Sequence, residues 1–226
     1  VYTALEILQA ASNGNVPELG KTVAVLGGGN VAFDAARVSK RLGIENVKLI
    51  CLEKAGAMCA DDEEIVEGAE EGIEILNSKS LISIEVKDGN AVGVNCVDVK
   101  DFSFSPDGAL ILDKVEGSEA LIEADSIIFA TGQRTDFGEE FGVKLNKFGF
   151  VEIDKDNFST DSEGIFAAGD AVTGTRFVIE AINAGREAAA KMDIYLGGEG
   201  DVSEILTEKN VPDGHIGKVD GFGKQH

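Results

Sequence analysis

The stretch from Lys21 to Arg37 constrains this chain more than any other. A short apolar, β-branched run from Val23 to Leu26 stops at three glycines and passes straight into a helical pattern. Gly27, Gly29 and Ala32 match the G-x-G-x-x-A form of the dinucleotide-binding fingerprint, with Asn30 and Val31 between them. At these positions Gly27 permits a tight turn, Gly29 lets the backbone approach a pyrophosphate, and Ala32 allows close helix–strand packing. The start of the helix offers unpaired N–H groups and the positive end of a dipole to phosphate.

The alternative is a plain strand-to-helix turn in an α/β protein that binds no nucleotide. The context favours the nucleotide. A second strand, Asn46 to Leu52, follows the helix and ends at Glu53, about 24 positions past Gly29. That is near the spacing of a carboxylate that accepts from ribose hydroxyls.

The chain has 226 residues, room for one large or two small domains. It begins at Val1 rather than Met, which reads as a fragment. Its net charge of −21 argues against nucleic acid and against anionic membrane surfaces. No apolar run is long enough to span a bilayer, no secretory signal is visible, and a cytoplasmic setting is expected. Cys51, Cys59 and Cys96 contain no C-x-x-C, so a dithiol redox centre is not expected. Cys51 and Cys96 read as small buried apolar side chains. His215 and His226, the only histidines, lie in the terminal tail and build neither a zinc site nor a triad.

Val1 to Gln9 reads as a short helix, and Ala10 to Gly20 as a linker. Asp61 to Glu74 reads as a helix with Ile65, Ala69 and Ile73 on one face. Its acids (Asp61, Asp62, Glu63, Glu64, Glu67, Glu70, Glu71 and Glu74) read as a solvated face rather than a metal site. Ser83–Lys87, Ala91–Val99 and Ala109–Val115 alternate as antiparallel strands, joined by Asp88-Gly89-Asn90 and Pro106-Asp107-Gly108 turns. Ser126–Ala130 and Gly164–Ala168 read as buried strands, and a helix runs from about Arg176 to Leu196. Residues 199–226 read as a mobile tail.

Four strand ends carry ligand-like chemistry: Gly27, Glu53, Gly132 and Asp170. An acid at Asp170 suits a sugar or polyol hydroxyl, or else caps a short turn. Arg37 and Arg134 either touch a phosphate or pair with surface carboxylates.

Taken in order, Gly27-Gly28-Gly29-Asn30-Val31-Ala32, Ala130-Thr131-Gly132-Gln133 and Gly164-Ile165-Phe166-Ala167-Ala168-Gly169-Asp170 resemble the FAD-dependent pyridine nucleotide oxidoreductases. Within that family the chain most resembles the small (beta) subunit of glutamate synthase. The resemblance covers Lys21 to Gly198. It implies a Rossmann-like, three-layer α/β domain with a parallel sheet and a small antiparallel layer, plus part of an FAD domain. The implied division is residues 1–19 as helix and linker of the FAD domain, 20–135 as the NAD(P)-binding domain, 136–198 as the C-terminal part of the FAD domain, and 199–226 as tail. It further implies that Gly169 and Asp170 meet the flavin's ribityl chain. Phe177 and Val178 would then lie by its pyrimidine edge, and Gly132 where nicotinamide meets flavin. Hydride would pass from nicotinamide to flavin with no catalytic side chain, and then to a partner subunit or iron–sulfur protein.

The chain departs from the family in two places. No second glycine fingerprint for the ADP half of FAD occurs, so this fragment is not expected to hold FAD tightly or to act alone. Where NADPH-using members carry Tyr-Arg-Arg, this chain has Cys51, Leu52 and Glu53. NAD is therefore expected in preference to NADP, with Lys54, Lys48 and Arg41 the alternative phosphate partners. Two rival readings are a nucleotide-sensing domain without catalysis and a thioredoxin-reductase-like disulfide reductase, which would need the missing C-x-x-C. The apolar surface of the C-terminal strand and helix is expected to pack on the nucleotide domain, pair with a second copy or stay disordered, with pairing favoured.

Overall fold

A computed structural model describes residues 1–106, 108–133 and 141–203. Asp107, Arg134, both histidines and residues 204–226 of the expected tail lie outside the described residues. The chain divides into two compact units, Val1–Thr135 with Lys147–Gly149, and Asp136–Asn146 with Phe150–His226.

The first unit is built on a five-stranded parallel sheet in the order β1-β9-β2-β3-β4. Its strands are β1 (Tyr2–Thr3), β2 (Thr22–Leu26), β3 (Asn46–Ile50), β4 (Glu74–Leu76) and β9 (Ser126–Phe129). The run Thr-Val-Ala-Val-Leu of β2 is buried from Val23 to Leu26, as a central parallel strand covered on both faces must be. Its alternation divides two cores. Val23 and Val25 face a cluster with Phe33, Ala35, Ala36 and Leu49. Ala24 and Leu26 face another with Ile50, Val94, Cys96 and Ile127.

Helices α1 (Ala4–Ser12), α2 (Asn30–Arg41) and α3 (Asp62–Glu70) form the layer on the first face. The other face meets an antiparallel sheet of β5 (Lys79–Lys87), β6 (Asn90–Phe104), β7 (Leu110–Lys114) and β8 (Ala120–Glu123). The β5–β6 hairpin closes through Asp88 (φ 53°) and Gly89 (φ 82°), two consecutive left-handed residues that suit the strand twist. Three layers and a parallel sheet with a small antiparallel one are what the sequence implied.

Several elements differ from expectation. The first helix starts at Ala4, not Val1, because Thr3 caps it: Glu6 N–H donates to Thr3 Oγ1 at 3.3 Å and Thr3 N–H to the Glu6 carboxylate at 2.7 Å. Tyr2–Thr3 instead pair in parallel with Ile128–Phe129. The acidic helix ends at Glu70, where Gly72 (φ 81°) turns the chain into β4. Strand β8 has no counterpart in the expected set.

In the second unit, Gly164–Ala168 is not a buried strand. Within this segment Phe166 alone among the described residues forms a bridge, with Ser159, and Ile165 is 39% exposed. The segment's backbone turns to near neighbours: Thr160 N–H donates to Ile165 O at 2.9 Å and Ala167 N–H to Phe158 O at 3.1 Å. No parallel ladder forms beside it among the described residues. After it come α4 (Asp170–Thr173) and α5 (Val178–Tyr195). Tyr195 packs edge-on against Phe166, with ring centroids 5.4 Å apart.

Candidate functional site

Strands β9, β2 and β3 run parallel and adjacent, so their carboxyl ends share one edge of the sheet. In open α/β sheets ligands bind outside that edge. Gly27 to Gly29 leave β2 there, Glu53 lies just past β3, and Gly132 follows β9.

The three loop glycines have different physical reasons. Gly27 has φ +142°, and a Cβ on it would lie 2.4 Å from the Ala130 carbonyl oxygen. Its N–H donates to Ile50 O at 2.9 Å, so the loop is tied to the strands on either side. A Cβ on Gly28 would lie 2.5 Å from Glu53 Oε2. Gly29, the N-cap of α2, has φ −100° and nothing within 4 Å of its would-be Cβ. Asn30 and Val31 begin the helix, so their N–H groups have no intrahelical acceptor. Ala32 is fully buried and seats α2 on the sheet.

Glu53 thus comes beside the glycine loop. Its Oε1 accepts from the Cys59 thiol at 3.4 Å, and Oε2 faces Gly28. Burial first, then Glu53, pushes the Cys59 thiol up. Burial and Glu53 push the Cys51 thiol up to about 12, so Cys51 is a packed apolar group with no thiolate character. Cys96 is likewise buried.

Asn30 does more than its place in the motif suggests. Its Nδ2 donates to Asp61 Oδ2 at 2.9 Å and its Oδ1 accepts from Asp61 N–H at 2.8 Å. Ala60 N–H donates to Gly28 O at 3.0 Å. The loop from Lys54 to Asp61 is thereby fastened along the glycine loop. Motif reading gave no signal for Cys59 or Asp61, because their roles depend on where a loop folds back.

The basic side chains have other partners. Arg37 pairs with Glu64, Glu67 and Glu71, and Arg41 with Glu71 at 2.6 Å. Lys48 Nζ donates to the Glu123 carbonyl at 3.2 Å, and Lys54 lies 3.7 Å from Asp101. Among the described residues no group of His, Cys, Asp or Glu could hold a metal ion. No helix among them is long and apolar enough to cross a membrane.

In the second unit, Gly169 caps α4 with φ 66° and ψ −148°, a conformation open essentially to glycine alone. Asp170 follows as the first residue of that short helix and is exposed. Phe177 caps α5, its N–H donating to Glu180 Oε2 at 3.1 Å. Phe177 and Val178 are 57% and 76% exposed.

The chain resembles known proteins along most of its length. It is 35% identical over 181 residues to the beta subunit of NADP(+)-dependent formate dehydrogenase of Moorella thermoacetica, covering 78% of this chain and 25% of that one. It is 31% identical over 194 residues to the NADPH glutamate synthase small chain of Azospirillum brasilense, covering 84% and 40%. It thus spans a quarter to two fifths of the length of these relatives. The crystal structure of T. acidophilum thioredoxin reductase shares the fold with a TM-score of 0.66 at 22% identity, covering 87% of this chain and 57% of that one. The family model for pyridine nucleotide-disulphide oxidoreductases matches residues 1–187. The chain belongs to that family of FAD-linked pyridine nucleotide oxidoreductases.

Proposed function

We propose that this chain is the nucleotide-binding part of a flavoprotein that takes reducing equivalents from NADH and hands them to a partner subunit. The observation that carries the reading is the Glu53 carboxylate beside Gly28, at the shared edge of β2 and β3. The residues fit a dinucleotide. Gly29 leaves the backbone bare, the first turn of α2 presents N–H groups to the diphosphate, and Glu53 accepts from the ribose hydroxyls.

When bound, nicotinamide and flavin supply the hydride chemistry, and the protein supplies binding and orientation. In the second unit Gly169 clears space and Asp170 presents an acceptor to a ribityl hydroxyl. Phe177 and Val178 border the start of α5. No side chain is assigned covalent chemistry, and the three cysteines form no C-x-x-C for disulfide reduction.

The two relatives above carry NADP or NADPH in their names. Here Glu53 would repel a 2′-phosphate, and Arg41, Lys48 and Lys54 have other partners. A preference for NADH follows. Fluorescence titration of the full-length protein is expected to show NADH binding about tenfold or more tighter than NADPH. Equal or tighter NADPH binding would overturn the preference. NADH binding with neither flavin absorbance nor dye reduction would favour a sensor over an enzyme.

A further inference from the structure

Glu53 is restrained at both ends by groups outside the fingerprint. Its backbone carbonyl accepts from Ser78 N–H at 3.0 Å and from Asn77 Nδ2 at 3.2 Å. Ser78 has φ +55°, a region that costs a non-glycine residue energy unless its surroundings hold it there. At the other end, the Cys59 thiol donates to Oε1 at 3.4 Å while Oε2 faces Gly28. The thiol is itself placed, because Ala60 N–H and the Asn30–Asp61 pair fasten its loop to the glycine loop.

We infer that Cys59 and Asn77 are positioning residues for Glu53, and that the Cys59 thiol sharpens the choice of NADH over NADPH by holding Oε1 so that Oε2 is presented to the ribose hydroxyls. The inference rests on the nucleotide reading above. A glutamate fixed in advance loses less rotamer freedom when ligand arrives. The same fixation keeps negative charge where a 2′-phosphate would have to lie. The role requires a neutral donor, since a thiolate would repel the carboxylate. Cys59 is exposed, and partial desolvation together with the neighbouring Glu53 carboxylate favours the neutral thiol.

Dissociation constants of NADH and NADPH for the full-length protein test this, in wild type, Cys59→Ala, Cys59→Ser and Glu53→Gln. Cys59→Ala is expected to weaken NADH about three- to tenfold and change NADPH by less than about twofold, while Cys59→Ser, which keeps a donor, stays within about twofold of wild type for both. Equal weakening of both nucleotides by Cys59→Ala would reveal a merely structural residue and overturn the inference. So would a serine variant as weak as the alanine one. NADH weakened by Glu53→Gln but untouched by Cys59→Ala would overturn the positioning role and leave the nucleotide reading intact. Wild type that binds neither nucleotide would overturn both.

Discussion

Gly27 and Gly29 sit two positions apart in one motif, yet their side-chain hydrogens answer to different demands. At Gly27 both the positive φ and the Ala130 carbonyl, 2.4 Å from a would-be Cβ, exclude any side chain. Gly27→Ala is expected to destabilise the fold by about 2–4 kcal/mol, combining backbone strain with overlap against main-chain atoms. At Gly29 the backbone is ordinary and the space is open. Gly29→Ala is expected to change stability by less than about 1 kcal/mol, since it only alters an N-cap, and to weaken NADH sharply by filling the place of the diphosphate. Urea unfolding and nucleotide titration of the two variants separate the roles. Unchanged NADH affinity in a folded Gly29→Ala variant would deny that the loop meets the ligand. The G-x-G-x-x-A pattern made these residues visible in the sequence, and the strand-plus-spacing rule did the same for Glu53. Cys59, Asn77 and Asp61 were invisible there, because each acts through a loop whose path no local pattern encodes.

The pairing of α2 with α3 shows how charge organises elements that apolar periodicity only outlines. Arg37, with a side chain 15% exposed, reaches Glu64 and Glu67 of α3 and Glu71 at its end. The acidic helix thus has one face on Arg37 rather than wholly in water. Gly68 completes the fit, since a Cβ there would strike the Phe33 ring at 2.7 Å. Arg41 foremost, with Arg37, holds the Glu71 carboxyl below the usual range against the opposing effect of burial. A carboxylate with a depressed native pKa contributes stability above its unfolded value and loses it as pH falls through the native one. Arg37→Leu is expected to lower the thermal midpoint by a few degrees at pH 7, with the gap to wild type closing as pH drops below about 4. A gap that persists undiminished in acid would mean that Arg37 acts through packing alone. Helix and strand identities along β2, α2, β3 and α5 were legible because their apolar periods are strong and their caps local. Gly164–Ala168 was misread as a strand because its apolar run is the same whether or not a neighbouring strand pairs with it, and pairing is a tertiary property. Strand β8 escaped because Ala120–Glu123 is only four residues long, and its ladder among the described residues is with distant β6.

At the scale of the whole chain, a net charge of −21 opposes the dinucleotide proposed for the glycine loop. NADH is itself a dianion, so diffusional approach takes place against the summed field of 41 acidic and 20 basic side chains. The attraction at the start of α2 is short-ranged and falls off within a turn of the helix. Raising ionic strength from roughly 10 mM to 150 mM shortens the screening length from about 30 Å to about 8 Å, which removes most of the long-range repulsion and little of the contact term. The association rate constant of NADH in stopped-flow measurements is therefore expected to rise across this range, while the dissociation rate changes less. NADPH, with its additional phosphate, should show the steeper rise. A rate that falls with salt would require a positive field at the binding edge that outweighs the rest of the chain. Among the described residues, Arg37, Arg41, Lys48 and Lys54 already have acidic or carbonyl partners. The sign of the salt dependence thus reports whether the loop or the whole surface governs how the nucleotide arrives.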